Sequence, residues 1–249
     1  MTEMLRVENV SRRFGGLLAV DRASFGAEAG LITALIGPNG AGKTTLFAIV
    51  TGFLSPTEGR VLYQGADITG EPPHLLARRG IARTFQIAQP FAGLTVRENI
   101  AVGSHLSRAK RTEALAAAED VAKEVGLGAM LDQPAASLTV SGRKRLELAR
   151  ALAIEPKLLL LDEVLAGLNP SEVRDMVPVI QAIAKRGITI VMIEHVMQAV
   201  MSLAEHVFVL AEGRIIAEGA PRAIAADPRV VEAYLGHGAA GRMLGAANG

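Results

Sequence analysis

Residues 37–45 read Gly-Pro-Asn-Gly-Ala-Gly-Lys-Thr-Thr and decide the fold of this chain. The stretch fits G-x-x-x-x-G-K-[ST], the pattern of the phosphate-binding P-loop. It follows the apolar run of residues 31–36, which is typical of a strand, and it precedes residues 46–50, which are typical of a buried helix. Because the pattern needs a strand before it and a helix after it, this context favours a P-loop over a glycine-rich turn with a chance lysine.

The chemistry expected of this loop follows from its residue types. Its glycines let the backbone fold tightly enough for successive N–H groups to face phosphate oxygens. The start of the following helix adds unpaired N–H groups and a positive dipole end. Lys43 is expected to reach the β- and γ-phosphates, and the Thr44 hydroxyl to hold Mg²⁺. The predicted nucleotide-binding residues here are Gly37, Pro38, Asn39, Gly40, Ala41, Gly42, Lys43, Thr44 and Thr45.

Composition limits the classes of protein that the chain can belong to. Its 249 residues suit one large α/β domain or two small ones, and half of them are apolar. The formal net charge of +1 gives no basic field that would argue for nucleic acid. The absence of cysteine excludes disulfides and thiolate metal sites. Neither a secretory signal peptide nor a transmembrane helix is expected, so any membrane role should come through a partner.

Strand and helix patterns alternate along the chain, which predicts an α/β fold with a mainly parallel sheet covered on both faces. Residues 5–10 alternate and predict an edge strand. Thr95-Val96-Arg97-Glu98 has the form of a helix capping box. No strand pattern occurs between Gln86 and Glu155, which predicts an inserted helical subdomain over roughly 87–155 of a domain spanning 1–237. Residues 238–249, rich in Gly and Ala, are predicted to form a flexible tail.

Two acids, Asp162 and Glu163, follow the buried-strand pattern of residues 158–161. In a P-loop fold, an acid at such a strand end can hold Mg²⁺ directly or through water, a role that fits Asp162. Glu163 is then placed to polarise a water that attacks the γ-phosphate. The competing interpretation, an ordinary strand end followed by acids, is weakened by the P-loop.

Three further residues are weaker candidates when each is taken alone. Gln86 ends the strand pattern of residues 81–85 and could contact Mg²⁺ or water, although such an amide is most often a solvated polar residue. His195 follows another strand pattern and could donate a hydrogen bond to the γ-phosphate, although a lone histidine there is usually structural. Phe14 could stack on a base, although an isolated phenylalanine usually belongs to the core.

These elements, in this order, resemble the ATP-binding cassette of ABC transporters, and within that superfamily the ATP-binding subunit of branched-chain (hydrophobic) amino acid importers. The resemblance covers nearly everything from Leu5 to Gly236. It is carried by the P-loop and by Arg12–Val20, Thr51-Gly52-Phe53, Arg83-Thr84-Phe85-Gln86, Ala166–Pro170, Ile193-Glu194-His195 and Ala233–Gly236. It implies a P-loop NTPase (RecA-like) core of mainly parallel sheet, with an antiparallel β edge and an inserted helical subdomain.

The resemblance also implies roles for individual residues. Phe14 takes the place of the adenine-stacking aromatic. Glu163 is the catalytic glutamate, His195 the switch histidine and Gln86 the Q-loop glutamine, while Thr44, Gln86 and Asp162 are the expected metal contacts. ATP and Mg²⁺ are the implied cofactors.

The partners implied by the resemblance are a second ATP-binding cassette and transmembrane permease subunits. Two cassettes, identical or different, sandwich two ATPs head to tail, and each supplies a signature motif to the nucleotide that the other holds. A groove beside Gln86 receives a cytoplasmic helix of the permease, and residues 89–94 are either a wall of that groove or a buried loop. The implied location is peripheral, on the cytoplasmic face of the plasma membrane, with a periplasmic binding protein acting indirectly.

The sequence departs from the family pattern in the signature, which usually reads Leu-Ser-Gly-Gly-Gln. Here the signature segment, residues 138–142, reads Leu138-Thr139-Val140-Ser141-Gly142. Thr139 can replace the serine hydroxyl, and Thr139, Ser141 and Gly142 are the expected nucleotide contacts. Val140 and Ser141 add side chains where backbone must approach the γ-phosphate, which weakens the expected contact. A two-residue shift would align Ser141-Gly142 with Ser-Gly but would shorten the distance to Ala149-Arg150, so the unshifted register is preferred.

Two smaller departures follow the acid pair. Val164 stands where proline usually follows the catalytic glutamate, and Asn169 replaces the D-loop aspartate of the wider superfamily.

The resulting prediction is an ATP-hydrolysing subunit that drives uptake of branched-chain or other hydrophobic amino acids. A soluble ABC-type ATPase acting without a permease is the alternative, although no second cassette, long coiled-coil insertion or basic arm is visible. A P-loop kinase is a third option, against which the set of Gln86, Leu138–Leu152 and His195 argues. The altered signature also raises the possibility of a weakly active cassette in a heterodimer.

Overall fold

Two β-sheets and nine α-helices make up the part of the chain that the computed structural model describes, residues 2–85 and 89–235. The strands are β1 Glu3–Phe14, β2 Leu17–Glu28, β3 Ile32–Ile36, β4 Glu58–Tyr63, β5 Ala66–Asp67, β6 Ile81–Arg83, β7 Leu158–Asp162, β8 Thr189–Ile193, β9 His206–Ala211 and β10 Arg214–Gly219. The helices are α1 Lys43–Val50, α2 Pro73–Arg78, α3 Val96–Ser104, α4 Arg111–Glu124, α5 Val140–Leu152, α6 Pro170–Lys185, α7 Met197–Leu203, α8 Pro221–Ala225 and α9 Pro228–Leu235. Two 3₁₀ turns, Gly128–Met130 and Ala135–Ser137, precede α5.

The larger sheet has the strand order β10-β9-β3-β8-β7-β6. Its five strands from β9 to β6 pair in parallel, and β10 pairs antiparallel with β9 at one edge. Every residue of β3, β7 and β8 is buried, because a parallel sheet with both faces covered leaves its central strands no solvent side. The predicted α/β P-loop fold is confirmed, and the carboxyl ends of β3 and β7 carry the P-loop and the acid pair along one edge of the sheet.

The smaller sheet is antiparallel, with the order β2-β1-β4-β5. The prediction that residues 5–10 form an edge strand is wrong, because β1 lies between β2 and β4. Leu5 pairs with Ala27 on one side and with Tyr63 on the other. An alternation of apolar and polar residues indicates that one face of a strand is buried. It does not indicate how many neighbouring strands pair with it.

The larger sheet separates two hydrophobic cores. On β7, Leu159 and Leu161 pack in the core shared with the helices, whereas Leu158 and Leu160 pack in the core shared with the antiparallel sheet. All four leucines are fully buried. Since successive strand residues point to opposite faces, one short strand contributes to both cores, and each buried leucine contributes about 1.5–3 kcal/mol.

Helices α3 to α5 lie between β6 and β7 in the chain. Among the described residues of this segment, the only β-pairing is an isolated bridge between Thr95 and Pro134. The capping box predicted at the start of α3 is confirmed. The Glu98 N–H donates to Thr95 Oγ1 at 3.2 Å, and the Thr95 N–H donates to Glu98 Oε2 at 3.1 Å. Residues 86–88 and the predicted tail lie outside the described residues. Across residues 2–85 and 89–235, no helix has the length and apolar character needed to cross a membrane.

Candidate functional site

The P-loop connects β3 to α1, and its backbone admits only glycine at two points. Gly37 has φ of +151°, and a Cβ there would lie 1.9 Å from the Leu210 main-chain oxygen. Gly42 has φ of +106°, and a Cβ there would lie 2.5 Å from the Ala19 main-chain oxygen. Both the positive φ and the close neighbouring backbone exclude larger residues. The glycines are therefore required by the packing of the loop against β2 and β9.

Lys43, the first residue of α1, folds its side chain back over the loop. Its Nζ donates to the main-chain oxygens of Gly37 at 2.7 Å and Pro38 at 2.9 Å. Burial lowers the pKa of the Lys43 ammonium, and the nearby carboxylates of Glu163 and Asp162 act in the opposite direction. A cation is thus held at the centre of the loop, where it can meet an anionic ligand.

A cavity of about 890 Å³ opens on this loop. Its volume lies within the ordinary range for small-molecule sites. Fifteen residues line it, nine of them from the P-loop and six from other parts of the chain: Phe14, Leu17, Ala19, Gly37, Pro38, Asn39, Gly40, Ala41, Gly42, Lys43, Thr44, Thr45, Glu163, His195 and Tyr234. The structure thereby places the P-loop, the second acid, the histidine and Phe14 around one space.

Phe14 is not a core residue, since its side chain is 42% exposed at the rim of this cavity. The Arg12 guanidinium lies 4.8 Å from the centre of its ring. An exposed aromatic ring at a cavity rim offers a flat face to a planar ligand.

Leu17, Ala19 and Tyr234 also line the cavity, and sequence reasoning assigned them no part in the site. The Tyr234 hydroxyl forms a hydrogen bond with the Gly37 backbone, and burial raises the pKa of this hydroxyl. Tyr234 belongs to Ala233–Gly236, one of the segments that carry the family resemblance, and this was the one sequence feature that could have indicated a part in the site.

Asp162 ends β7 and is fixed by two polar contacts. Its Oδ2 accepts a hydrogen bond from Arg83 Nη2 at 2.6 Å, and its N–H donates to Thr84 Oγ1 at 3.0 Å. Its other oxygen, Oδ1, is buried and has no hydrogen-bond partner among the described residues. Asp162, Arg83 and Thr44 line a second cavity of about 520 Å³. An unpartnered carboxylate oxygen on a residue that lines the same cavity as Thr44 fits the preference of Mg²⁺ for oxygen ligands.

Glu163 has an uncommon backbone conformation, with φ of +48°. Its N–H donates to the Ile193 main-chain oxygen at 3.0 Å. Non-glycine residues in this region are under strain that surrounding contacts must hold, and such residues cluster at active sites. The turn away from the strand brings the Glu163 side chain to the P-loop cavity, where Asp162 is absent from the lining.

His195 is exposed to the P-loop cavity, whereas the preceding Glu194 is completely buried. Glu194 Oε1 accepts a hydrogen bond from the Leu165 N–H at 2.9 Å. Burial, aided by the charge of Glu163 and opposed by Lys144, raises the pKa of Glu194 to about 7. Glu194 therefore ties the histidine to the segment that follows Glu163, a contact that sequence reasoning missed.

The signature residues do not join the P-loop cavity of their own chain. Thr139 is the N-cap of α5, and its Oγ1 accepts a hydrogen bond from the Gly142 N–H at 3.1 Å. Val140 is 58% exposed and Thr139 is also exposed, whereas Ser141 is half-buried and Gly142 is buried. Gln86, the remaining expected site residue, lies outside the described residues.

A groove of about 470 Å³, lined in part by Arg83, lies between β6, α3 and α5. Its wall includes the exposed side chains of Phe85, Val102 and Leu106. Residues 89–94 are not a buried loop, since Phe91 is exposed and lies under the Arg150 guanidinium, 4.7 Å from the ring centre. Several apolar side chains that face solvent together are typical of a surface that another protein covers.

Two family models match the chain. The model described as ABC transporter matches residues 20–166, and the model described as branched-chain amino acid ATP-binding cassette transporter matches residues 214–240. The first match includes the P-loop and the acid pair, and the second includes Tyr234.

Individual relatives agree with these matches. The chain is 38% identical to the high-affinity branched-chain amino acid transport ATP-binding protein BraF of Pseudomonas aeruginosa, over 94% of this chain and 98% of that protein. It is also 38% identical to the probable branched-chain amino acid transport ATP-binding protein LivG of Archaeoglobus fulgidus, over 94% and 96%. Among solved structures, the ADP conformation of an ATP-binding cassette of an ABC transporter is 34% identical, with a TM-score of 0.87, over 95% of this chain and all of that one.

Proposed function

This chain belongs to the ABC transporter family of ATP-binding subunits, and on that premise we propose that it binds MgATP in the P-loop cavity and hydrolyses it to drive uptake of branched-chain or other hydrophobic amino acids through permease subunits. One observation carries the proposal: the cavity unites the P-loop with Glu163 and His195, which come from different strand ends. Relatives named for branched-chain amino acid transport support the class of solute.

Different residues of the chain have separate roles in the proposed hydrolysis. The P-loop amides and the Lys43 ammonium bind the phosphates, the ammonium exchanging its carbonyl partners for phosphate oxygens. Phe14 stacks on the base. Glu163 accepts a hydrogen bond from the attacking water and orients it towards the γ-phosphate, and His195 donates to the γ-phosphate. Phosphoryl transfer depends mainly on such positioning and on charge stabilisation.

The metal is assigned to Thr44 and Asp162, with Gln86 proposed as a third contact. The hydroxyl of Thr44 and the Oδ1 of Asp162, which has no partner among residues 2–85 and 89–235, are the oxygen groups that would hold Mg²⁺. When bound, the ion supplies positive charge to the phosphate oxygens.

A second cassette completes the proposed site. Thr139, Ser141 and Gly142 lie at the N-terminus of α5 and outside the chain's own P-loop cavity. The exposure of Thr139 and Val140 at this end of the helix supports the proposal that the signature segment contacts the nucleotide held by another cassette, because helix N-termini present unpaired N–H groups to anions.

The groove beside Arg83 is proposed as the surface that receives a permease helix. Its exposed apolar residues, Phe85, Val102 and Leu106, support this partner. The chain is accordingly proposed to act at the cytoplasmic face of the plasma membrane, with a periplasmic binding protein delivering the solute.

The test uses the chain reconstituted with its cognate permease subunits. ATP binding, phosphate release and uptake of labelled leucine are measured for the wild-type complex and for Lys43→Ala, with the exposed Lys110→Ala as the matched control. Lys43→Ala should lose tight ATP binding and uptake, and Lys110→Ala should retain both. Undiminished ATP binding by Lys43→Ala would remove the P-loop from the proposal. Rapid ATP hydrolysis by a chain that never associates with a permease would favour an ATPase that acts without a membrane partner.

A further inference from the structure

Arg83 and Asp162 form a buried ion pair 79 residues apart in the chain. The two side chains are 8% and 1% exposed, and Arg83 Nη2 lies 2.6 Å from Asp162 Oδ2. A charge-assisted hydrogen bond of this length in a dry environment is strong. Removing one member of such a pair leaves an uncompensated buried charge, which is costly.

Two aromatic rings and a hydroxyl also contact the Arg83 guanidinium. It lies 5.8 Å from the ring centre of Phe47 and 5.4 Å from that of Phe85. Its Nη1 approaches Thr51 Oγ1 at 3.4 Å. Aromatic faces attract a guanidinium within about 6 Å, so the position of the cation is set by the packing around it as well as by Asp162.

The pairing leaves the two oxygens of Asp162 in different states. Oδ2 is occupied by Arg83, whereas Oδ1 is buried without a partner among the described residues. Arg83, Asp162 and Thr44 line the same cavity. The carboxylate is therefore held in one orientation by Arg83, and its Oδ1 has no partner among the described residues, in a side chain that lines the same cavity as Thr44.

We propose that Arg83 is a positioning residue, a counter-cation that fixes Asp162 with its Oδ1 unpartnered among the described residues and makes the site take Mg²⁺ together with a nucleotide rather than alone. The proposal rests on the function proposed above, in which Asp162 is a magnesium contact. Charge supports it. The carboxylates of Asp162 and Glu163 lie near the cations of Arg83, Lys43 and Lys144, so their negative charge is already neutralised before phosphates arrive.

The experiment measures ADP affinity with a fluorescent ADP analogue over a range of Mg²⁺ concentrations, and thermal unfolding with Mg²⁺ alone. The variants are Arg83→Met, Arg83→Lys, Asp162→Asn and the double variant Arg83→Met/Asp162→Asn. Wild-type protein should show no thermal shift with Mg²⁺ alone. Arg83→Met should need about tenfold less Mg²⁺ for half-maximal tightening of ADP binding, because the carboxylate is no longer neutralised. It should also gain a thermal shift from Mg²⁺ alone.

The other variants serve as controls. Arg83→Lys keeps the positive charge but loses the planar guanidinium, so it should shift the Mg²⁺ dependence less than Arg83→Met does. Asp162→Asn should need about tenfold more Mg²⁺, because the metal contact loses its charge. If Asp162→Asn shifts the Mg²⁺ dependence and Arg83→Met does not, the role of Arg83 is overturned while the metal site stands. If Asp162→Asn shifts nothing, or the wild type binds no ADP, the proposed function fails instead.

The stability of the variants provides a second test of whether Arg83 acts on Asp162. Arg83→Met alone is expected to be less stable than the double variant, since only the single variant buries an uncompensated carboxylate. Recovery of folding in the double variant supports a role of Arg83 directed at Asp162. A double variant that is as unstable as Arg83→Met would show that Arg83 serves the packing of β6, and would overturn the proposal.

Discussion

The Nζ atom of Lys144 donates a hydrogen bond to the main-chain oxygen of Glu163 at 3.0 Å. Lys144 belongs to α5, whose N-terminus carries the signature segment, and Glu163 follows β7 at the P-loop cavity. Burial lowers the pKa of the Lys144 ammonium, and the surrounding carboxylates of Glu194, Glu163, Asp162 and Glu147 oppose this shift. The strained backbone of Glu163 is thus held by bonds to both its N–H and its C=O.

Glu163→Gln tests the proposed role of this carboxylate. The amide keeps the shape of the side chain but loses the charge that polarises water, so phosphate release should fall by at least about 100-fold. ATP affinity in a direct binding titration should stay within a few-fold of the wild-type value. The exposed Glu218→Gln on β10 is the control and should leave both quantities unchanged. Wild-type turnover in Glu163→Gln would remove Glu163 from the catalytic step.

Gly37→Ala should destabilise the protein strongly, because its methyl group would lie 1.9 Å from the Leu210 main-chain oxygen. The free energy of unfolding in urea should fall by about 3 kcal/mol or more, which is typical of backbone strain combined with a steric clash. Gly16→Ala is the matched control, since Gly16 has no positive φ and a Cβ there meets nothing within 4 Å. Equal stability of the two variants would contradict the loop geometry described above.

Glu194→Gln should change how stability depends on pH. The pKa of Glu194 rises from 4.5 to about 7 on folding, so its contribution to stability is complete below pH 4.5 and is lost as the pH rises through 7. The groups that face it are Glu163, Lys144 and the N–H groups of Leu165 and His195. Glutamine is neutral at every pH and should abolish the loss.

Urea unfolding at pH 5 and pH 8 measures this effect. The stability of Glu194→Gln relative to wild type should increase by roughly 2 to 3 kcal/mol between the two pH values. The exposed Glu113→Gln on α4 should show no such increase. A constant difference between Glu194→Gln and wild type would mean that the buried carboxyl does not titrate in this range.

Val140→Gly with Ser141→Gly tests the altered signature. Removing two side chains from the N-terminus of α5 lets backbone approach the nucleotide of the second cassette, so phosphate release by the assembled pair should rise several-fold. The same change should cost the isolated chain about 1–2 kcal/mol, because glycine disfavours helix. The double substitution Ala116→Gly with Ala117→Gly in α4 is the control for helix loosening alone. An unchanged rate would mean that the altered signature does not limit hydrolysis.

Local features of the fold were predictable from the sequence because nearby residues determine them. The capping box at Thr95 needs only Glu98 three positions later, and the P-loop lies wholly within residues 37–45. Strand neighbours were not predictable in the same way. β1 was expected at an edge, but its second partner, β4, comes from about fifty residues further along the chain, and alternation carries no information about such a distant partner.

In the candidate site too, features set by nearby residues were predictable and contacts between distant residues were not. Residue type and spacing suggested Asp162, Glu163 and His195, and the structure puts Glu163 and His195 on one cavity. Nothing in the local pattern pointed to the pairing of Arg83 with Asp162, or to the contact of Glu194 with Leu165. Both contacts join separate strand ends, so they exist only once the parallel sheet has brought those strands together.

The two-sided packing of β7 has a consequence for how this chain can vary. Leu158 and Leu160 belong to one core and Leu159 and Leu161 to the other. Alternate positions of a single strand can therefore accept compensating substitutions from different neighbours without conflict. The helices on one face of the larger sheet and the antiparallel sheet on the other can therefore diverge in sequence independently, provided that the backbone of the larger sheet stays unchanged.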